Sequence, residues 1–149
     1  MSIIGTFLVL ALLGTPISVL RTELTGWQPV YIMHVVIGIA GVLLYFAREH
    51  IPFNAKTAIM IGFYWAIGVT GLFTLGLMGA GVWFLVMSGL LMSTFFSPRA
   101  GLITALVTAA LIMIAAWLFT SGTLLMPFDA NTYATSVAGW ATLLVATSV

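Results

Sequence analysis

Residues 68–101 read GVTGLFTLGLMGAGVWFLVMSGLLMSTFFSPRAG. This stretch holds two apolar runs, hinged at Gly76-Leu77-Met78-Gly79-Ala80-Gly81 and closed by Ser97-Pro98-Arg99-Ala100-Gly101. Two long apolar runs joined by so little polar chain suit a bilayer rather than water. Glycine-rich breaks between periodic segments mark turns, so Gly76, Gly79 and Gly81 are expected to hinge two membrane helices. They do not read as a phosphate-binding glycine pattern, because no strand precedes them and no lysine follows.

The rest of the chain repeats that theme. It is 62% hydrophobic and 5% charged, where an ordinary soluble domain is about 25% charged. So few polar residues cannot cover a globule in water. The net charge of +1 comes without a basic cluster, which leaves no electrostatic footprint for nucleic acid. The absence of cysteine removes disulfides and thiolate metal sites. The first twenty residues have neither a basic start nor a small-x-small cleavage site, and read as a retained span.

In order, apolar spans fall at residues 2–20, 30–47, 57–75, 82–96 and 102–120, and a sixth run begins at 137. The fold expected is an all-α integral membrane protein: a bundle of five complete transmembrane helices plus a sixth begun or truncated. Residues 137–149 reach only about 20 Å at 1.5 Å per residue, short of a core about 30 Å thick. The chain is therefore expected to be the N-terminal part of something longer. Pro16 is expected to kink the first span, and Pro29 suits the first turn of the second. Residues 21–28, 48–56 and 121–136 are read as loops.

Arg48, Lys56 and Arg99 fall in the second and fourth connections, while Arg21, Glu23 and Asp129 fall on the other side. The positive-inside rule then places the N-terminus in the cytoplasm. Trp27, Trp83, Trp117 and Trp140 lie near the outer span ends in this arrangement, where indole rings favour the interface. The localisation expected is the bacterial inner (cytoplasmic) membrane, with the lipid bilayer as the main partner.

Few residues can carry chemistry. His34 is the ionisable residue read as lying within a span, and is a candidate ligand or pH sensor. The blander reading is a neutral, hydrogen-bonded histidine inside the bundle. His50 lies sixteen positions on, roughly 24 Å along a helix, so the two histidines are not expected to share a haem or metal. No carboxylate lies within a span, which disfavours ion-coupled transport. No catalytic constellation converges, so no catalytic residue, metal site or cofactor is expected. Met33, Met60, Met87, Met92 and Met113 are scattered and read as core filling. In the long loop Phe128, Asp129 and Tyr133 could contact a ligand. Gly62 and Ala66, Gly68 and Gly71, and Ala105 and Ala109 are small residues at spacings that let helices approach, and are expected to serve packing.

At Gly68 to Phe119 the chain looks like a known pattern. A proline-bearing loop (Arg48 to Lys56) is followed by a helix ending in GLFTLGLMGAG, a short apolar helix, the Phe96-Ser97-Pro98-Arg99-Ala100-Gly101 turn and a long helix leading to FTSGTLLMPFDANTYATSVAGW. Across roughly residues 34–140 this resembles the N-terminal multi-span sensor regions of bacterial sensor histidine kinases and hybrid kinases, regions related to those that precede diguanylate cyclases. The resemblance implies a membrane sensor module that passes a change in helix packing to a cytoplasmic output domain, as a homodimer. A response regulator would be the partner of a kinase output. The phosphoacceptor and ATP-binding boxes of such kinases are absent from these residues. The competing expectation is a stand-alone small membrane protein, an accessory subunit or transporter.

Overall fold

A computed structural model describes residues 3–126 and 128–147. Among them every regular element is helical. In chain order they are α1 (Ile3–Leu20), α2 (Thr22–Thr25), α3 (Pro29–Phe46), α4 (Phe53–Leu75), a 3₁₀ turn (Gly76–Met78), α5 (Gly81–Phe95), α6 (Pro98–Thr120), α7 (Ala130–Ala134) and α8 (Val137–Thr147). Three helical stretches are long and apolar enough to cross a membrane: Pro29–Phe46, Phe53–Met78 and Pro98–Thr120. Gly81–Phe95 is a shorter apolar helix, and α1 has 18 residues.

The helix ends follow from local chemistry. Gln28 is extended and Pro29 opens α3, where its missing N–H is no loss. Ser97 caps α6, its Oγ accepting from the Ala100 N–H at 3.1 Å, and Pro98 is the first helical residue. Gly76 ends α4 at φ +56°, a conformation that side chains disfavour. Three expected loops are shorter than read. Residues 53–56 already form the first turn of α4, so Lys56 is helical. Residues 22–25 form α2 and 130–134 form α7. Helical turns this short leave almost no periodic signature.

Neighbours in sequence pack as neighbours in space. α4 lies against α5, α5 against α6, α1 against α3 and α3 against α4, while α8 returns to pack on α1. The α4–α5 seam is the tightest. A Cβ on Gly81 would stand 2.5 Å from the Leu72 nitrogen and 2.7 Å from the Gly68 oxygen. One on Gly68 would meet Leu85 at 2.7 Å, and one on Gly71 would meet the Gly81 Cα at 3.2 Å. Gly101 allows α6 the same approach to Ser93 on α5. Packing contacts of this kind are the main attraction between helices in lipid.

Inside lie Ile37, Leu44, Met60, Tyr64 and Ile67, with Leu72, Leu85 and Ala115 beside α6. Outside lie Leu12, Ile39, Leu43, Leu106 and Met113, all exposed. A surface this apolar is a surface for lipid. The interior, unlike that of a water-soluble bundle, keeps much of the chain's polarity: Ser18, Arg21, Thr25, Thr57, Ser88, Thr104 and Thr108 are all buried.

Candidate ligand cavity at the hinge end of the bundle

The hinge end holds the α4–α5 turn, α2 and α7. Its organising residue is Arg21, which the sequence places in a polar loop but the fold leaves only 1% exposed. The chain fixes it there by a compact corner. The Arg21 carbonyl accepts from the Leu24 N–H at 3.1 Å, from the Thr25 N–H at 3.1 Å and from Thr25 Oγ1 at 3.0 Å. Gly26, at φ +69°, then turns the chain toward α3.

Two tyrosines from distant parts of the chain close over the guanidinium. Its Cζ lies 4.9 Å from the ring centre of Tyr133 and 5.5 Å from that of Tyr31. Thr25 and Tyr31 share a hydroxyl hydrogen bond of 2.6 Å. Burial raises the Tyr133 phenol above its ordinary range, so it is neutral at physiological pH. Phe128 stacks on Tyr133 at 5.2 Å and packs on Val30, Tyr31 and Leu75.

Beneath this corner is a cavity of about 70 Å³, with Arg21 in its wall. Thr15 and Ser18 of α1 and His34 of α3 add polar groups. Ile37, Tyr64, Ile67 and Phe84 continue the wall, and Thr142 of α8 completes it. The volume corresponds to roughly five waters. His34 Nδ1 lies 2.6 Å from the Val30 carbonyl. A carbonyl only accepts, so Nδ1 carries the proton and the neutral ring keeps Nε2 as its acceptor. Thr15 Oγ1 donates to the His34 carbonyl at 3.4 Å, tying α1 to α3 at the cavity.

The electrostatics at Arg21 are unbalanced. Nε and Nη2 are buried and have no hydrogen-bond partner among the described residues. Glu23 is exposed. Asp129 is exposed too, and its carboxylate is engaged by Thr132 Oγ1 at 2.8 Å and the Asn131 N–H at 3.1 Å. Each ring contact offsets about 0.5–2 kcal/mol, against an effective penalty of several kcal/mol for a buried ion. The guanidinium cannot shed its proton to escape that penalty.

The other residues singled out from sequence are placed as follows. Phe128 and Tyr133 enter the Arg21 corner, while Asp129 caps α7 and faces outward. Gly68, Gly71, Gly79 and Gly81 lie at close approaches, and Gly76 packs near Phe119 and Met126. Gly62 faces open space, with nothing within 4 Å of an added Cβ. Ala66 packs on the core, whereas Ala105 and Ala109 are exposed. His50 is exposed at the opposite end. Among the described residues no group of three or more His, Cys, Asp or Glu could hold a metal. Sequence reasoning missed Arg21, Tyr31 and Thr25. The one available signal is an arginine placed directly after an 18-residue apolar helix; Tyr133 is among the loop contact candidates, whereas Tyr31 reads only as part of a span.

Fold and cavity together define a class: a helical bundle with a lipid-compatible exterior and a charged pocket at one end. The family model MASE11 matches residues 1–148, and the chain belongs to the MASE11 family. MASE domains are membrane-associated sensor domains that sit in sensor kinases and cyclases. No curated protein and no solved structure matches the chain.

Proposed function

We propose that this chain is the membrane input module of a bacterial signalling protein, and that it passes a change in helix packing to a cytoplasmic output domain of the histidine kinase type. The observation that carries the reading is the position of α8. It packs on α1, and its Thr142 lines the same cavity as Arg21 and His34. A change in cavity occupancy would therefore favour one seating of α8 over another, by as much as its differential affinity for the two. In this reading α1, α3, α4, α5 and α6 are five complete spans and α8 begins a sixth. The N-terminus is cytoplasmic, the membrane is the inner membrane, and the output domain works as a homodimer that hands phosphate to a response regulator.

A second reading, an accessory subunit of a larger membrane complex, draws on the exposed Ala105 and Ala109 of α6, a small-residue pair that would let a partner helix approach closely. The intact mass of the protein taken from its native membrane separates the two. A mass near the 15.9 kDa of these residues overturns the kinase reading and favours the subunit. A mass several-fold larger, with autophosphorylation from ATP in isolated membranes, supports the kinase. A larger protein that cyclises GTP instead keeps the input role and corrects the output.

A further inference from the structure

We infer that the cavity beneath Arg21 binds an oxyanion, a carboxylate or a phosphate, carried on an apolar body. Arg21 is 1% exposed, and its Nε and Nη2 have no partner among the described residues. Those two nitrogens form the guanidinium edge whose N–H bonds run side by side. That edge receives two oxygens of one carboxylate or phosphate, a fit a single-point acceptor does not match. A cation is repelled from the same place, and a neutral ligand leaves the charge uncompensated.

The cavity also supplies the rest of the ligand's shape. Along α3, Val30, His34 and Ile37 line it in succession, a run of about 10 Å down the helix. Ser18 stands one turn before Arg21, and Thr15 lies deeper, beside Gly38. Farther in, Ile37, Ile67 and Phe84 make the wall mainly apolar, with the hydroxyls of Thr15 and Tyr64 as its polar groups. A charged head with a short apolar tail matches both levels. Such a ligand comes either from the aqueous phase, as a free amphiphilic acid, or from the bilayer, as an anionic lipid headgroup. The site itself stands on geometry alone; its role as a signal rests on the sensor reading above.

The test uses the full chain in nanodiscs of phosphatidylcholine. Octanoate and octyl phosphate are expected to raise the thermal midpoint saturably, while octanol and octylammonium do not. Arg21→Lys, which keeps the charge and loses the parallel edge, is expected to weaken binding about tenfold or more, and Arg21→Gln about a hundredfold. In discs containing phosphatidylglycerol, a raised midpoint with a lost octanoate response assigns the site to lipid headgroups. An unchanged octanoate response there assigns it to a free acid, and either result supports the oxyanion site. Octanol matching octanoate overturns the proposal, as does full affinity in Arg21→Gln, or no effect of either octyl anion or of phosphatidylglycerol. Inorganic phosphate binding as tightly as octyl phosphate overturns the apolar body. If Arg21→Gln does not fold, the comparison of octyl compounds on the parent chain still decides. In the intact protein, binding without any change in output sinks the sensor role and spares the site. An output change with no binding here sinks the site alone.

Discussion

Arg21 carries a charge that it cannot lose, in a place where, among the described residues, two aromatic faces meet the guanidinium and its Nε and Nη2 have no hydrogen-bond partner. Without a ligand it is a liability, so Arg21→Met is expected to leave the ligand-free chain as stable as the parent, or more stable by about 1–4 kcal/mol. Reversible unfolding in bilayers measures this; a loss of more than about 3 kcal/mol would reveal an internal partner for the guanidinium. Acid sensing can be assigned by a similar comparison. The Thr132 hydroxyl, with help from the Asn131 N–H, holds the Asp129 carboxyl below its usual range. A depressed carboxylate contributes stability above its unfolded value, near pH 4, and loses it as pH falls through the still lower folded value. Asp129 therefore stays charged between pH 5 and 8, which leaves His34 in the cavity wall and the exposed His50 as the histidines of the chain that can answer in that window. If the cavity senses acid, His34→Gln abolishes the response in the intact protein while His50→Gln keeps it, and a response that survives His34→Gln removes His34 as the sensor.

Among elements, the α4–α5 seam and the outer face of α4 make opposite predictions for one substitution. Gly81→Ala must push backbone against backbone at 2.5 Å, and is expected to destabilise by about 1–3 kcal/mol. Gly62→Ala meets nothing and should stabilise by about 0.5–1 kcal/mol through helix propensity alone. Steric trapping of both variants checks the contrast; equal effects would mean that the seam opens freely. Both glycines sit in the same kind of apolar run, each four or fewer positions from another small residue. Spacing therefore named Gly62 with Ala66 as readily as it named Gly68 with Gly71. What separates them is which side of α4 meets α5, and a helix apolar all round carries no stripe to reveal that side. The short α2 and α7 escaped for a related reason, since one helical turn has no period to read.

For the molecule as a whole, α8 packs on α1, and in the proposed sensor reading the path from cavity to output runs through that contact. These 149 residues hold no cysteine, so a pair introduced across that seam supplies the only thiols within the bundle. Oxidising the pair is expected to freeze output in the intact protein while octanoate binding persists within about threefold. A similar bridge across the already rigid α4–α5 seam should leave the output response in place. If bridging α1 to α8 changes nothing, the signal leaves by another helix.

Hydropathy and turn chemistry act over a few neighbouring residues, and what depends on them was legible in the sequence by itself: an all-helical chain suited to a bilayer, the glycine hinge after α4, the proline and serine that open α3 and α6. Only the tertiary structure decided where the polarity goes. Arg21 is buried because Tyr31, ten residues on, and Tyr133, more than a hundred residues on, close over it, while Thr142 from the last helix completes the wall below. Burial of a charge is a property of contacts between remote segments, and no local sum along the chain contains it.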